Sequence, residues 1–167
     1  MPKSINDIQK IAYELRKDVV TMLQEAGSGH TASALGTAEI FSSLYFNILD
    51  ITPENFSKEN RDHFLLSGGH ICPIWYATLS KVGFFNKKEL WKLRKTGALL
   101  QGHPSYEDRK NKSEGLENTP GIENASGSLG QGLSMAIGKA LTLKINKQNN
   151  RIYVMTGDGE MNEGQIW

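Results

Sequence analysis

Two short apolar runs, each ending in a glycine-rich turn, constrain the fold of this chain more than any other feature. Residues 64–66 (FLL) lead into 67–69 (SGG), and residues 152–156 (IYVMT) lead into 157–159 (GDG). Apolar runs of this length between turn residues are typical of buried strands. Helical patterns precede the first run and lie between the two, and this order predicts α/β architecture with a parallel sheet flanked by helices. Because an open sheet normally has more than two strands, the sheet is expected to be incomplete at the C-terminus.

Apolar residues at helical intervals predict the helices around these strands. In the first helix, Ser4 and Asp7 also have the spacing of a capping box. Residues 102–126 show no periodicity, and a loop of this length is expected to be functional or disordered. The expected helices are Ser4–Glu25, about Ser33–Ile48, about Pro73–Lys81, a short one capped by Asn86 and Glu89 that stops before Gly97, and one from the GSLGQG stretch to about Lys147.

Composition excludes several classes of protein. The chain has 167 residues, 22% of them charged and 38% hydrophobic, with a formal net charge of +1. These values fit one soluble globular domain, and residues 1–167 are interpreted as a single partial domain. No basic stripe indicates nucleic-acid binding, and no apolar run approaches the roughly 18 residues of a membrane span. The single cysteine, Cys72, excludes an intrachain disulfide and is expected to be a packing residue, which favours a cytoplasmic setting.

The acidic turn Gly157-Asp158-Gly159 has two physical interpretations. Ligands of open α/β sheets bind at the carboxyl ends of the strands, where the N–H groups of a glycine turn can approach a phosphate. A carboxylate would repel that anion unless a divalent cation lay between them, so Asp158 can provide one oxygen ligand to Mg²⁺ or Ca²⁺. The alternative is a plain strand-end turn in which Asp158 caps the following helix. The turn alone leaves both interpretations open, and its spacing does not match the dinucleotide-binding fingerprint.

Three histidines, His30, His70 and His103, each follow a glycine at an expected loop. An imidazole can bind phosphate or sugar hydroxyls and can transfer protons near neutral pH. One such residue is most often structural, but three glycine–histidine junctions in a short chain indicate a shared polar site. Their spacing is not that of a zinc site. His63 lies before the first strand, away from the expected binding edge, and is interpreted as structural.

Taken together, these stretches resemble the amino-terminal, diphosphate-binding part of transketolase, a thiamine-diphosphate enzyme. The matching segments are SGHTASALGTAEI, LLSGGH, QGHP, GSLGQGLSMAIG and GDGEMNEGQIW, in the family's order and over nearly the whole chain. The match is closer to the small amino-terminal subunit of two-part bacterial transketolases than to the single long chain. The resemblance implies transfer of a two-carbon ketol unit between sugar phosphates, with thiamine diphosphate and a divalent metal, Mg²⁺ or Ca²⁺.

The resemblance also assigns cofactor-binding roles to matching positions. Asp158 would hold the divalent metal, and Gly159 would line the diphosphate. His70 would contact the cofactor phosphate. Gly127 and Leu129 would lie against the pyrimidine end of the cofactor.

Three further residues acquire catalytic roles from the same resemblance. His30 and His103 would face the sugar substrate and assist proton transfer. Glu163 would lie at the subunit interface, in a carboxylate network that links two cofactor sites.

The chain departs from the family pattern at three positions and at its end. Thr31 and Ser128 stand where prolines are usual, and Gly69 stands where many members have asparagine. The family's second metal ligand, an asparagine, and its pyrimidine-binding domain lie beyond the residues present. We therefore expect a chain truncated just after the GDG motif, which alone binds cofactor weakly and does not catalyse.

The expected partner is a C-terminal transketolase subunit that carries the pyrimidine-binding domain, in a homo- or hetero-oligomer. Two alternatives remain open at this point. The chain could belong to another thiamine-diphosphate enzyme of the deoxyxylulose-phosphate synthase kind, although GSLGQG and NEGQIW favour transketolase. It could instead be a non-catalytic remnant that binds a transketolase-like partner.

Overall fold

The computed structural model describes residues 2–106 and 118–167. Two strands and five α-helices of the described residues make up the architecture, joined by short 3₁₀ turns and one π-helical turn. The strands are β1 (His63–Leu66) and β2 (Ile152–Met155). The helices are α1 (Ile5–Ala26), α2 (Thr31–Gly36), α3 (Ala38–Ser43), α4 (Cys72–Val82) and α5 (Gln131–Ile145); the π-helical turn is Leu44–Ile48, and the 3₁₀ turns are Gly69–Ile71, Lys87–Lys92, Glu160–Asn162 and Gly164–Ile166.

The two strands form a parallel pair, as the sequence predicts. His63 lies opposite Ile152, and Leu66 lies opposite Met155, so both strands end at the same edge. β1 is buried along its length, whereas β2 is only half-buried, which corrects the expectation of a buried strand. The reason is that β2 has β1 as its only strand neighbour within the described residues. The architecture is therefore a partial α/β layer with helices against a two-stranded parallel sheet.

Helix α1 begins with the capping box read from the sequence and ends at a glycine. Ser4 and Asp7 form a reciprocal capping box, which satisfies two backbone N–H groups at the helix start. Gly27 ends the helix with φ +65°, a left-handed conformation that glycine adopts without a Cβ penalty. The buried side of α1 packs on α3 and α4.

The second expected helix, Ser33–Ile48, is wrong as a single element. The structure divides it into α2, α3 and the π-helical turn, with a break at Thr37 (φ −105°, ψ 7°). The hydroxyl of Thr37 donates to the carbonyls of Ser33 and Ala34 at 3.1 and 3.3 Å. A hydroxyl that bonds the preceding turn competes with the backbone ladder of a continuous helix. The sequence pattern shows apolar spacing but not this competition.

The core lies between the helices and the inner face of β1. Phe41, Tyr45, Phe64 and Trp75 pack edge to face or stacked, with ring centroids 5.3–6.4 Å apart. The indole N–H of Trp75 donates to the Tyr45 hydroxyl at 2.6 Å, which satisfies a polar group in this apolar layer. Cys72 is fully buried, and burial raises the pKa of its thiol to about 12. Its expected role as a packing residue agrees with this setting.

A buried charge cluster lies at the amino end of β1. Glu123 accepts from Arg61 at 2.8 Å and from Lys139 at 2.6 Å, and its Oε2 lies 2.5 Å from His63 Nδ1. Burial alone would raise the pKa of Glu123, but the hydrogen bonds from His63 and Arg61 and the charge of Lys139 lower it to about 2. His63 is the first residue of β1 rather than a residue before it. Its place in this cluster supports the structural interpretation.

Two other predictions concern the long loop and the membrane. Residues 102–106 and 118–126 contain no helix or strand, in agreement with the lack of periodicity, and residues 107–117 of the same loop lie outside the described part. No helix in residues 2–106 or 118–167 has the length and apolar character needed to cross a bilayer.

Candidate functional site

The carboxyl ends of β1 and β2 bring two of the predicted turns together. Because the strands are parallel and in register, the turns 67–69 and 157–159 leave the same edge of the sheet. The backbone N–H of Ser67 donates to the Met155 carbonyl at 2.9 Å, which continues the pairing to the end of both strands. This edge is where open α/β sheets bind their ligands.

A buried carboxylate, Glu160, connects three segments at this edge. Its Oε1 accepts from the Ser67 hydroxyl and from the Gly130 N–H at 2.6 Å, and its Oε2 accepts from the Gly157 N–H at 2.9 Å. The residue is 2% exposed. Burial opposes ionisation, but these hydrogen bonds outweigh it, so the pKa of Glu160 is lowered. The carboxylate therefore fixes the end of β1, the turn after β2 and the start of α5 relative to one another.

The role of Glu160 has no signature in the sequence. An acid two residues after Asp158 was visible, in the first turn after a strand. Its role depends on Gly130 and Ser67, which are 30 and 93 residues away along the chain. No local pattern carries that information.

Glycines allow the start of α5 to pack directly on the β1 turn. A Cβ at Gly132 would lie 2.5 Å from the Ser67 Oγ, and the Gly132 N–H donates to the same oxygen at 3.1 Å. A Cβ at Gly69 would lie 2.7 Å from the Ser126 carbonyl oxygen. The close approach expected of the GSLGQG stretch is thus made to the protein itself at Gly132.

A cavity of about 240 Å³ opens beside this packed junction. Ser126 lines this cavity, and its hydroxyl is buried without a hydrogen-bond partner among the described residues. A buried hydroxyl without a partner costs free energy unless a ligand or water satisfies it. The arrangement therefore fits a polar ligand at the sheet edge. The cavity is lined by Ser67, Ala125, Ser126, Gly127, Ser128, Gln131, Gly132 and Met135.

The three histidines lie close together next to this junction. The rings of His30 and His70 are 5.1 Å apart between centroids and inclined at 65°. His103 lies against Gly127, where an added Cβ would be 3.4 Å from its Cδ2. Burial, then the Arg94 guanidinium, then the rings of His70 and His30, lower the pKa of His103. His103 is therefore mostly neutral at pH 7 and can accept a proton there.

The turn after β2 presents Asp158 to solvent. Gly159, not Asp158, is the N-cap of the following 3₁₀ turn, and no side chain caps that turn. The carboxylate of Asp158 accepts no hydrogen bond from any described residue, so the capping alternative has no support. Three or more His, Cys, Asp or Glu side chains do not converge on a metal site anywhere in the described ranges. The donor set here is one carboxylate, which fits a divalent ion only if other oxygen ligands complete the shell.

Leu129 and Glu163 lie at the outer side of the junction. Leu129 is 37% exposed, and its carbonyl accepts from Gln165 Nε2 at 2.6 Å. Glu163 is exposed and forms no ion pair or side-chain hydrogen bond with the described part of the chain. The structure thus brings His30, His70, His103 and Gly127 together, and it leaves Glu163 facing outward.

The comparisons with known proteins identify the family. Residues 8–166 match the family described as "Transketolase, thiamine diphosphate binding domain". The chain belongs to the transketolase family.

Subunits of two-part transketolases are similar to this chain over most of its length. A 6-deoxy-6-sulfo-D-fructose transketolase subunit from Clostridium sp. (strain MSTE9) is 38% identical over 96% of this chain and 55% of the relative. One of the subunits of an apulose-4-phosphate transketolase from Phocaeicola vulgatus is 35% identical over 91% of this chain and 50% of the relative.

Solved transketolase structures share the architecture. Transketolase from Campylobacter jejuni superposes with a TM-score of 0.83 at 32% identity, covering 97% of this chain and 25% of that one. The partial sheet and its helices are therefore part of the thiamine-diphosphate-binding fold of transketolase. The chain spans about half the length of the two-part relatives and about a quarter of the single-chain enzyme.

Proposed function

We propose that this chain, as one partial domain over residues 1–167, is the diphosphate-binding part of a two-part transketolase. The proposed reaction transfers a two-carbon ketol unit between sugar phosphates. The single observation that carries it is the edge shared by β1 and β2, where the turn that carries Asp158, the turn that precedes His70 and the start of α5 meet around the buried Glu160. The family match of residues 8–166 supports the same proposal.

Five residues of this edge are proposed to hold thiamine diphosphate and its metal. Gly159 and His70 would contact the diphosphate, and Gly127 and Leu129 would lie against the pyrimidine end. The unpartnered Ser126 hydroxyl in the adjacent cavity supports a polar ligand here. When bound, the cofactor supplies the electron sink needed to break and form the carbon–carbon bond next to a ketone. Asp158 would provide one ligand to Mg²⁺ or Ca²⁺.

His30 and His103 are proposed to face the sugar and to move protons. His103 is suited to accept a proton because its lowered pKa keeps the ring neutral at pH 7. His70 lies beside His30, so the two rings would hold each other in position. Glu163 is proposed to act at a subunit interface, where its exposed carboxylate is free to meet a partner.

The substrate class and partner are proposed from the relatives. The two subunit relatives are named for a sulfonated fructose and for apulose 4-phosphate. We infer a ketose with an anionic group as donor and a C-terminal transketolase subunit as partner, in a homo- or hetero-oligomer in the cytoplasm. The isolated chain is proposed to be inactive because Asp158 alone does not complete a metal shell.

Calorimetric titration of thiamine diphosphate with Mg²⁺ tests the cofactor proposal. The chain is titrated alone and with a candidate C-terminal subunit, and binding is expected only, or far more tightly, in the mixture. Asp158→Asn is expected to abolish the Mg²⁺-dependent part of the affinity. Asp18→Asn, which removes a carboxylate of α1 paired with Lys87, is the control and should bind as the parent does.

A panel of ketose donors then separates the remaining interpretations. Turnover by the mixture with a ketose phosphate or a sulfonated ketose, and an aldose phosphate as acceptor, supports the proposal. Turnover with pyruvate as donor would instead indicate an enzyme of the deoxyxylulose-phosphate synthase kind. Partner binding without cofactor binding would contradict the proposal and favour a non-catalytic role.

A further inference from the structure

Arg94 has an unusual backbone for a residue beside the histidine loops. Its φ is +63°, and it is one of two described residues other than glycine with positive φ, the second being Lys147. A side chain in the left-handed region costs roughly 1 kcal/mol or more, so the surroundings must hold Arg94 in place. The Arg94 N–H donates to the Leu100 carbonyl at 2.9 Å, which turns the chain back toward Gly102.

The guanidinium of Arg94 contacts both segments that carry the substrate-facing histidines. Its Nη1 donates to the Ser28 hydroxyl at 2.9 Å, two residues before His30. On the other side, Gly102 packs so closely that a Cβ would lie 3.0 Å from Arg94 Nε and 3.3 Å from Cζ. Gly102 directly precedes His103. One side chain therefore bridges the two loops.

No described carboxylate neutralises this guanidinium. Arg94 takes part in none of the ion pairs formed by residues 2–106 and 118–167. Its Nε is buried and has no hydrogen-bond partner within the same residues. An unpaired cation with a buried donor is costly, and a stability role alone would be better served by a carboxylate partner.

We propose that Arg94 is a positioning residue: its guanidinium ties the loop that carries His30 to the loop that carries His103. This inference rests on the proposed role of both histidines toward the sugar. It adds a residue that touches neither cofactor nor substrate in the proposal. The tie fixes the spacing of two proton-transferring groups that are 73 positions apart in the chain.

The charge of Arg94 has a second consequence for the same histidine. Burial, Arg94, His70 and His30, in that order, lower the pKa of His103. Glu160, a carboxylate that interacts with His70, is committed to three hydrogen bonds. A fixed cation next to His103 therefore favours its neutral form, the form that accepts a proton.

Nuclear magnetic resonance on the full chain tests the proposal without cofactor. Side-chain proton shifts of His103 and His30 are followed from pH 5 to 9, and backbone order parameters are measured for residues 28–30. Arg94→Met is expected to raise the pKa of His103 and to lower the order parameters from about 0.85 to below about 0.6. Lys95→Met, which removes an exposed cation from the adjacent position, is the control and should change neither quantity.

Two further variants separate the effect of the Arg94 charge on His103 from the effect of its hydrogen bond to Ser28. Arg94→Lys keeps the cation and loses the fork geometry, so the pKa of His103 should stay low while residues 28–30 lose order. Ser28→Ala should loosen the same residues and leave the pKa of His103 unchanged. If Arg94→Met does not fold, as checked by its thermal unfolding curve, these two variants decide the question. A general loss of structure would instead raise the pKa equally in Arg94→Met and Arg94→Lys.

The proposal is overturned if Arg94→Met and Ser28→Ala match Lys95→Met in both measurements. That result leaves the proposed function untouched, because cofactor binding and turnover are measured separately. Conversely, a chain that never binds thiamine diphosphate can still show the Arg94 effects on the two loops.

Discussion

At the scale of single residues, two buried carboxylates define the two ends of β1. Glu160 at the carboxyl end accepts from backbone N–H groups and a hydroxyl, so its negative charge is spread over neutral donors. Glu123 at the amino end accepts from Arg61 and Lys139, so its charge is neutralised by cations. The first arrangement positions glycine turns, and the second holds a strand, a loop and a helix together.

Replacing Glu160 with glutamine should loosen the candidate site. The amide of glutamine places an NH₂ group against a backbone N–H or the Ser67 hydroxyl, so one buried donor loses its acceptor. We expect unfolding free energy to fall by roughly 1–3 kcal/mol in urea titrations, and the affinity for thiamine diphosphate to fall with it. Glu163→Gln is the matched control, since that exposed carboxylate has no described partner, and should stay within about 0.5 kcal/mol of the parent. Equal stability of the two variants would contradict the role given to Glu160.

Replacing Glu123 with glutamine should destabilise the chain in a pH-dependent way. The pKa of this carboxyl is about 2 in the folded state against 4.5 as its ordinary value. The stabilisation is therefore present above about pH 4.5 and is lost as pH falls towards 2. We expect a loss of roughly 3 kcal/mol at pH 7, measured by urea unfolding, that shrinks in acid. Glu39→Gln, which breaks an exposed pair with Arg16, should cost at most about 1 kcal/mol; a pH-independent Glu123 effect would count against this account.

The sequence predicted the residues with a local signature and missed those without one. Glycine–histidine junctions and the GDG turn stand out in a short window, and the structure brings His30, His70 and His103 together. Glu160 accepts from Gly130 and Ser67, 30 and 93 positions away, and Arg94 donates to Ser28, 66 positions away. Their neighbours are set by the packing of the sheet edge, which a single sequence does not reveal.

At the scale of elements, α5 shows how glycine spacing determines packing. Among the small residues of this helix, Gly132 and Ala136 are buried and Gly138 is exposed. Gly132 touches the β1 turn, whereas nothing lies within 4 Å of a Cβ at Gly138. Glycine is therefore required for close packing at position 132, whereas packing does not require it at position 138.

Alanine at these two glycines should have opposite effects. Gly132→Ala places a methyl group 2.5 Å from Ser67 Oγ, and overpacking of roughly 1–3 kcal/mol should outweigh the gain of about 1 kcal/mol in helix propensity. Gly138→Ala should stabilise the chain by up to about 1 kcal/mol, because only the propensity term applies. Thermal or urea unfolding of both variants checks the sign. Stabilisation by Gly132→Ala would mean that α5 can shift away from β1 without cost.

The sequence predicted element boundaries where a capping residue or a helix breaker bounds a helix. It missed features that arise from side-chain hydrogen bonds or from the number of neighbouring strands. Ser4 begins its helix in both sequence and structure, and the helix expected over about Pro73–Lys81 differs by one residue at each end from α4 (Cys72–Val82). The break at Thr37 arises from a hydroxyl bonding the preceding turn, and the partial exposure of β2 arises from a missing neighbour strand among the described residues. Both causes lie outside the periodicity of apolar residues.

At the scale of the whole molecule, α5 leaves apolar side chains uncovered beside the half-buried β2. Ile137, Leu141 and Ile145 follow one another at helical spacing and are 52%, 55% and 78% exposed. Single exposed apolar residues are common, but an aligned stripe beside a half-buried strand is an aggregation liability. The parallel architecture and the α/β class were predictable, since they follow from the order of strands and helices.

Charges on this stripe should make the isolated chain more soluble. Ile137→Lys combined with Leu141→Lys is expected to leave unfolding free energy within about 1 kcal/mol of the parent, since surface positions tolerate change. It should also shift the sedimentation profile from aggregates towards monomer. Val20→Lys, at a similarly exposed apolar position on α1, is the control and should have little effect. A parent chain that is monomeric and melts reversibly would contradict the expectation.

Gly69 packs against the backbone of residues 126–127, so the residue type allowed at position 69 depends on the path of that loop. A Cβ at position 69 would lie 2.7 Å from the Ser126 carbonyl oxygen and 2.9 Å from the Gly127 nitrogen. A larger residue at position 69 fits only if the facing loop takes another path. A substitution at position 69 without a matching change in the loop should therefore destabilise the fold. Among homologues, position 69 and the loop at 126–127 should therefore vary together, and a chimera that exchanges one without the other should fold poorly.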